Sequence, residues 1–506
     1  MTLPPGWTTA RIGDLCKLIN GRAFKPSDWS KSGLPIVRIQ NLNTPTSAYN
    51  YCDKAVDPKF LIEPGELLFA WSGTPGTSFG AHIWSGPKAV LNQHIFRVLI
   101  TERLLDKKFF RFALNQRVAT FIEKSHGGVG LGHITKGTFE ETEVPIPPLN
   151  EQRRIVAKLE AVLDRSRRAK EALDAVPALL ERFRQSVLAT AFRGDLTRDW
   201  REKNPDVEPA SRLLERIRVE RRRRWEEGEL ERLRVKGKVP KDDKWKLKYK
   251  PPHASDLTAF PKLPHGWCWA SLEDLSTKVV DGVHSKPNYV PTGVPFVTVK
   301  NLTAGSGLSF EELNFISRAD HEEFIKRADP EEGDLLMSKD GTLGVVRAVR
   351  TRQSFSIFVS VALIKPVDRQ ATDYLEQALQ SPQVQQQIDG GTGTGLLHIH
   401  LRDLRRFAVP LAPAEEQAVI TSRLRAAVGG LETVGREATQ ASERNQVMKR
   451  AVIAKAFRGE LVPQDPSDEP AFALLERIRA SRNQEDHQHS GLVARSTAAR
   501  QGSREP

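Results

Sequence analysis

Most of this chain is written twice. Leu3-Pro4-Pro5-Gly6-Trp7, followed by Asp14-Leu15, returns as Leu263-Pro264-His265-Gly266-Trp267 followed by Asp274-Leu275, an offset of 260. Gly33-Leu34-Pro35-Ile36-Val37-Arg38-Ile39-Gln40-Asn41-Leu42 matches Gly293-Val294-Pro295-Phe296-Val297-Thr298-Val299-Lys300-Asn301-Leu302 at the same offset. It grows to 268 at Gly65-Glu66-Leu67-Leu68 and Gly333-Asp334-Leu335-Leu336, through a small insertion. Further on it is 265: His133-Ile134, Val144-Pro145, Glu151-Gln152 and Ala191-Phe192-Arg193-Gly194 recur as His398-Ile399, Val409-Pro410, Glu416-Gln417 and Ala456-Phe457-Arg458-Gly459. A repeat of this length means one structural unit used twice, and every other feature has to be read inside that frame.

Within each copy the texture changes once. Residues 1–148 and 260–413 mix short apolar runs with frequent Gly and Pro, the pattern of short strands, turns and a few helices, so both copies predict an α+β globular domain. From Glu151 to Phe192 there is no glycine, and Ile155, Leu159, Val162, Ser166, Ala169, Leu173, Val176, Leu180, Phe183 and Val187 fall at alternating steps of four and three. Ile420, Leu424, Ala427, Leu431, Val434, Ala438, Ala441, Asn445, Met448 and Val452 keep the same register in the second copy. Such spacing predicts two long helices that bury a lengthwise seam against each other. Asn150 offers an N-cap, and Gly194 and Gly459 can take the left-handed conformation that ends a helix. Pro177 lies inside the first helix and should kink or interrupt it.

The expected order is globular domain 1–148, helix 149–194, basic spacer 195–259, globular domain 260–413, helix 414–460 and a tail 461–506 whose last part is disordered. An antiparallel pairing of the helices would give the molecule a pseudo-two-fold axis.

The net charge of +13 favours a polyanionic partner, because cations that neutralise phosphates release condensed counterions. It is unevenly placed: Arg212 to Lys250 holds 16 basic and 8 acidic residues, +8 of the total, and reads either as a solvated helical arm or as a phosphate contact.

Catalytic signatures are missing from the sequence: no GxxxxGK[ST] phosphate loop, no HExxH, and no Asn-Pro-Pro-aromatic motif of adenine methyltransferases. The glycine clusters Gly127–Gly132 and Gly390–Gly395 sit in no strand-to-helix turn of a βαβ unit and read as flexible loops. Cys16, Cys52 and Cys268 are too scattered for a disulfide framework or zinc knuckle, and no metal site is expected. The longest apolar stretch is too short to span a bilayer, and a reducing cytoplasm fits.

The duplicated Gly-Trp opening, the helix starts Pro148-Leu149-Asn150-Glu151-Gln152 and Pro413-Ala414-Glu415-Glu416-Gln417, and the Ala-Phe-Arg-Gly exits together resemble the specificity subunits of type I restriction-modification systems. That resemblance covers most of the chain. It implies two target-recognition domains that each read half of a bipartite, asymmetric site on double-stranded DNA, with an antiparallel helical coiled coil as a ruler. It also implies docking of two methyltransferase (M) subunits and of restriction (R) motor-nuclease subunits. S-adenosylmethionine, ATP and Mg would be held by those partners, and this chain would carry no catalytic residue.

Loops at equivalent places in the two copies that differ in their polar and aromatic side chains hold the candidates for DNA contact. They are Gln40, Asn41, Trp71, Ser72 and Thr74 in the first and Lys300, Asn301, Ser338, Lys339 and Thr342 in the second. Gln or Asn can pair with adenine and Lys with guanine, although Asn41 and Asn301 also suit turns that terminate strands. The seam is expected to rest on Ile155, Leu159, Leu173, Leu180, Ile420, Leu424, Leu431 and Val452.

Overall fold

A computed structural model describes residues 3–43, 47–73, 79–123, 132–238, 240–253, 260–389 and 398–481. Two compact units make up the chain, one comprising Met1–Asp174 with Thr439–Pro506 and the other Ala175–Ala438. The long helix Leu149–Phe192 and the helix Leu431–Phe457 each contribute residues to both units.

In the first unit an antiparallel sheet in the order Cys16–Asn20, Ile95–Ile100, Leu67–Ala70 and Gly80–Ile83 forms the head. In the second unit Ser276–Asp281, Val361–Pro366, Leu335–Ser338 and Val346–Ala348 occupy the same order. A second sheet around Leu34–Val37 contains one parallel pairing, Ile36 with Val90, and around Val294–Val297 its counterpart pairs Phe296 with Ser356. The copies diverge where the offset grows: the first inserts a short strand, Leu61–Ile62, and the second a helix, Arg318–Phe324. Each head is closed by pairing its opening strand with its last one, Thr8–Arg11 with Glu143–Ile146 and Cys268–Ser271 with Ala408–Leu411. That pairing delivers the chain directly into the following helix.

The helices run antiparallel within each unit. In the first, Arg154 pairs with Asp468 at 2.7 Å while Ser166, twelve residues on, meets Asn445. In the second, Leu180 packs over Gly435 and Arg201 reaches back to Glu416. Ile155, Leu159, Ile420 and Leu424 are fully buried. Leu173, Leu180, Leu431 and Val452 are half-buried, and Phe183 and Val434 in the second unit and Met448 in the first stand largely in solvent. Two helices alone can cover only a narrow seam.

The interruption falls elsewhere than at Pro177, through which the first helix continues unbroken. It falls in the second copy, where Ala414–Val428 ends and Leu431–Phe457 begins across Gly429-Gly430. Each glycine costs about 1 kcal/mol relative to alanine inside a helix, and two in succession end it. A proline costs more, about 3 kcal/mol through a lost hydrogen bond and a ring clash, so propensity alone does not place the break; past Pro177 the helix keeps the partly buried Leu173, Val176 and Leu180 on one face.

Candidate nucleic-acid interface

Each head is held to its helices by the motifs that repeat in sequence. Gly6 and Gly266, with φ of 81° and 84°, turn the chain so that the next residue, a tryptophan, points at a helix start. Trp7 Nε1 donates to Glu151 Oε2 at 3.1 Å, and Trp267 Nε1 to Glu416 Oε2 at 2.8 Å. The helix exits meet the heads too. A Cβ on Gly194 would stand 2.3 Å from Pro264 Cγ, and one on Gly459 equally close to Pro4 Cγ. The exit of the first helix therefore seats the second head, and the exit of the second helix seats the first. Ala210 N donates to Gly266 O at 2.7 Å and Ala471 N to Gly6 O at 2.8 Å, completing the same joint in both units.

The joints are unequal in one respect. Glu416 Oε1 accepts from Thr197 and Arg201. At the same offset of 265 the first unit has Val462 and Pro466, and Glu151 Oε1 is buried with no hydrogen-bond partner among the described residues. Burial pushes the Glu151 carboxyl above the usual range against the opposing pull of Trp7 and Arg154.

On this frame the candidate contact residues fall into two kinds. Asn41 and Asn301 are buried at the starts of two short helices, Ile39–Asn43 and Val299–Thr303. Asn41 Oδ1 accepts from Arg38 N at 3.0 Å, and its Nδ2 donates to the carbonyls of Ser47 and Ala48. Asn301 Oδ1 accepts from Thr298 N at 2.9 Å, and its Nδ2 faces Glu311 O. Both amides are spent on backbone, as the turn reading expects, and neither is free to read a base. Their neighbours Gln40 and Lys300 are exposed at equivalent points.

The second pair of loops is built alike and furnished differently. Trp71 N donates to His94 O and its carbonyl accepts from Ile134 N; Lys339 N donates to Ser360 O and its carbonyl accepts from Ile399 N. Trp71 and Lys339 thus occupy one backbone position. The Trp71 ring lies 5.7 Å from Phe96 in a near-parallel stack and 5.4 Å from His94. Lys339 is only 3% exposed, with Nζ 3.5 Å from Asp281 Oδ2 and 3.4 Å from Asp340 Oδ2. Arg327 and His284 also bond Asp281. Burial alone would raise the Asp281 carboxyl, but these bonds and the cations Arg327 and Lys339 hold it below its ordinary value. Asp340 is paired with His398.

Ser72, 6% exposed, lies in a strand opposite His133. Ser338 is fully buried, its Oγ accepting from Val345 N at 2.9 Å. Thr342 is exposed in the turn that follows. Thr74, and the glycine clusters apart from Gly132, lie outside the described residues.

Sequence reasoning did not find the Asp281, His284 and Arg327 network around Lys339. Asp281 and Lys339 are 58 positions apart and have no charged counterparts in the first copy, so repetition gives them no mark.

Residues 4–175 match the family model of the type I restriction modification DNA specificity domain. The chain is 25% identical over 500 residues to the type I restriction enzyme EcoBI specificity subunit of Escherichia coli, covering 95% of this chain and 94% of that protein. It is equally 25% identical to the EcoKI specificity subunit of Escherichia coli strain K12, over 95% and 96% of the two. Its fold is similar, with a TM-score of 0.62 and 20% identity over 91% of this chain and all of the other, to a chain solved in work on complex assembly and conformational transition of the type I restriction-modification system. Residues 4–175 thus match the DNA specificity domain of type I restriction-modification systems, and over 95% of its length the chain is similar to the specificity subunits of such systems.

Proposed function

We propose that the chain is a non-catalytic, cytoplasmic subunit that reads a bipartite, asymmetric DNA site, one half with each of the heads 1–148 and 260–413. It recruits methyltransferase (M) subunits, two of them, and restriction (R) subunits, which hold S-adenosylmethionine, ATP and Mg. The observation that carries this reading is the equivalence of Trp71 and Lys339: one backbone position in two matched folds carries an aromatic ring in one and a buried cation in the other. Matched scaffolds with different polar furnishing suit a target whose halves differ. The exposed Gln40, Lys300 and Thr342 are the readiest of the candidates for base or phosphate contact. Apolar side chains left in solvent on the helices, Leu179 and Phe183 in the second unit and Val447 and Met448 in the first, are suited to covering by the methyltransferase subunits.

The test is reconstitution. The purified chain alone is expected neither to methylate nor to cleave DNA, and to confer adenine methylation at one defined sequence on its cognate methyltransferase. Methylation by the chain alone, or sequence-independent methylation by the pair, would refute the reading.

A further inference from the structure

The helix Ala210–Val235 begins in the core of the second unit, where Ala210, Leu213, Leu214 and Ile217 are buried, and then leaves it: Val219 is 70% exposed. The chain turns at Gly237 and folds back on the same helix through Asp243–Lys248. Trp245 lies 6.3 Å from Trp225 in a stack, and Tyr249 meets Trp225 edge-on at 5.3 Å. The base is pinned to the head by Arg218 on Asp274 at 2.8 Å and by Arg221, which bonds Ser276 O and the Tyr249 hydroxyl. This is a built arm. The second copy follows its Arg479, the counterpart of Arg218, with 480–506, a stretch without a lysine.

Its charge divides sharply. Along the helix the arginines are matched by carboxylates one turn away, Arg222 with Glu226, Arg223 and Arg224 with Glu220, Arg232 with Glu229. Those pairs form a solvated, self-neutralised face. Beyond the helix the matching is only partial, with Lys244 on Asp242 and Lys246 on Glu226 and Asp243. Lys236, Lys238, Lys241, Lys248 and Lys250 are all exposed and have no ion pair among the described residues. The Glu229 carboxyl is held below its ordinary value first by Arg232 and further by Lys248 and Lys236, which stand on opposite limbs of the fold-back.

We infer that the unpaired lysines of this arm, Lys236, Lys238 and Lys241 around the turn and Lys248 and Lys250 on the returning limb, are a sequence-independent contact to the phosphate backbone of duplex DNA, separate from the two reading heads. Lysines offer compact point charges rather than the planar fork that selects a base edge, so they supply affinity without sequence information. The aromatic rings of the arm pack on one another, which leaves none as a platform for unstacked bases and argues against a single strand. Unpaired cations release counterions when phosphates replace them, whereas the arginines nearer the head must first break ion pairs.

The inference rests on the proposed DNA-reading function, and the experiment separates the two. Binding of the full-length chain to a mixed-sequence duplex of about 40 base pairs is followed from low to moderate salt, for the parent and for a variant with K236A, K238A, K241A, K248A and K250A. The slope of log affinity against log salt should fall by about 0.9 for each phosphate no longer neutralised, and affinity by about tenfold or more. A second variant with arginine at the five positions should bind as the parent does. A parent that binds and an alanine variant with unchanged affinity and slope overturn the arm's role alone, and would assign the surface to an acidic protein instead. An arginine variant as weak as the alanine one also overturns it, since charge would not be the cause. A parent that binds no duplex overturns the inference together with the reading on which it rests.

Discussion

Trp7 donates its indole N–H to one oxygen of Glu151, 144 positions away, and the other oxygen of that carboxylate is buried without a partner among the described residues. In the second unit the corresponding oxygen of Glu416 is satisfied twice, by Thr197 and Arg201.

The difference makes the first joint sensitive to pH. Glu151 has its carboxyl raised in the folded state, first by burial, so folding favours the protonated form. Its contribution is fully present below the unfolded-state value and is lost as pH rises toward the folded one. Thermal unfolding of Glu151→Gln, which cannot ionise, should therefore gain on the parent as pH rises through and above the ordinary carboxylate range. A constant gap across that range would contradict the assignment.

At the second joint the sign reverses for a truncation. Arg201→Ala leaves the fully buried Glu416 carboxylate without its cation, and losing one partner of a buried pair costs about 3 kcal/mol or more. Denaturant unfolding should register that loss. Glu416→Gln combined with Arg201→Ala should recover part of it, because no charge is then stranded.

Within the first unit, Ser166 and Asn445 form a polar rung in an otherwise apolar seam. The Ser166 hydroxyl lies 2.9 Å from Asn445 Oδ1, and Asn445 Nδ2 donates to Ser166 O at 2.8 Å. A polar residue at a seam position fixes helix register at some cost in stability. Asn445→Leu is expected to raise the melting temperature while relaxing the pairing, seen as faster cross-linking of cysteine pairs placed one turn out of register. A variant both less stable and equally well registered would exclude that role.

Asn301 and Lys300 are adjacent and should behave oppositely. Asn301→Ala removes a buried cap and should cost about 1 kcal/mol of stability. Lys300→Ala should leave stability unchanged and alter DNA affinity or base preference at one position of one half-site. Stability measured by unfolding and preference measured by selection from random duplexes separate the two.

The repeat, the change of texture after each head and the glycine stops are all legible in the order of residues. The first long helix ends at Phe192, two residues before the left-handed Gly194. Harder to read are features that depend on what faces what. Gly6-Trp7 and Glu151-Gln152 each repeat, but nothing in one sequence says that the two motifs bond each other. Pro177 is the visible helix breaker, yet Gly429-Gly430 breaks the helix, since tertiary packing decides whether one missing hydrogen bond matters. Asn41 and Asn301 fit both a base and a cap, and only their burial chooses. The fold-back of Trp245 on Trp225 lies inside a charge run that spacing could not resolve.

Replacing the second head, residues 260–413, with the equivalent head of a relative tests the central claim most directly, because the exchange leaves in place Gly194 and Glu416, the helix residues that seat Pro264 and Trp267 of that head. Methylated adenines are then mapped across the genome of a cell carrying the hybrid and its methyltransferase. One half of the recognised sequence should change and the other stay as it was. If both halves change together, or neither does, the two heads do not read the two halves of the site.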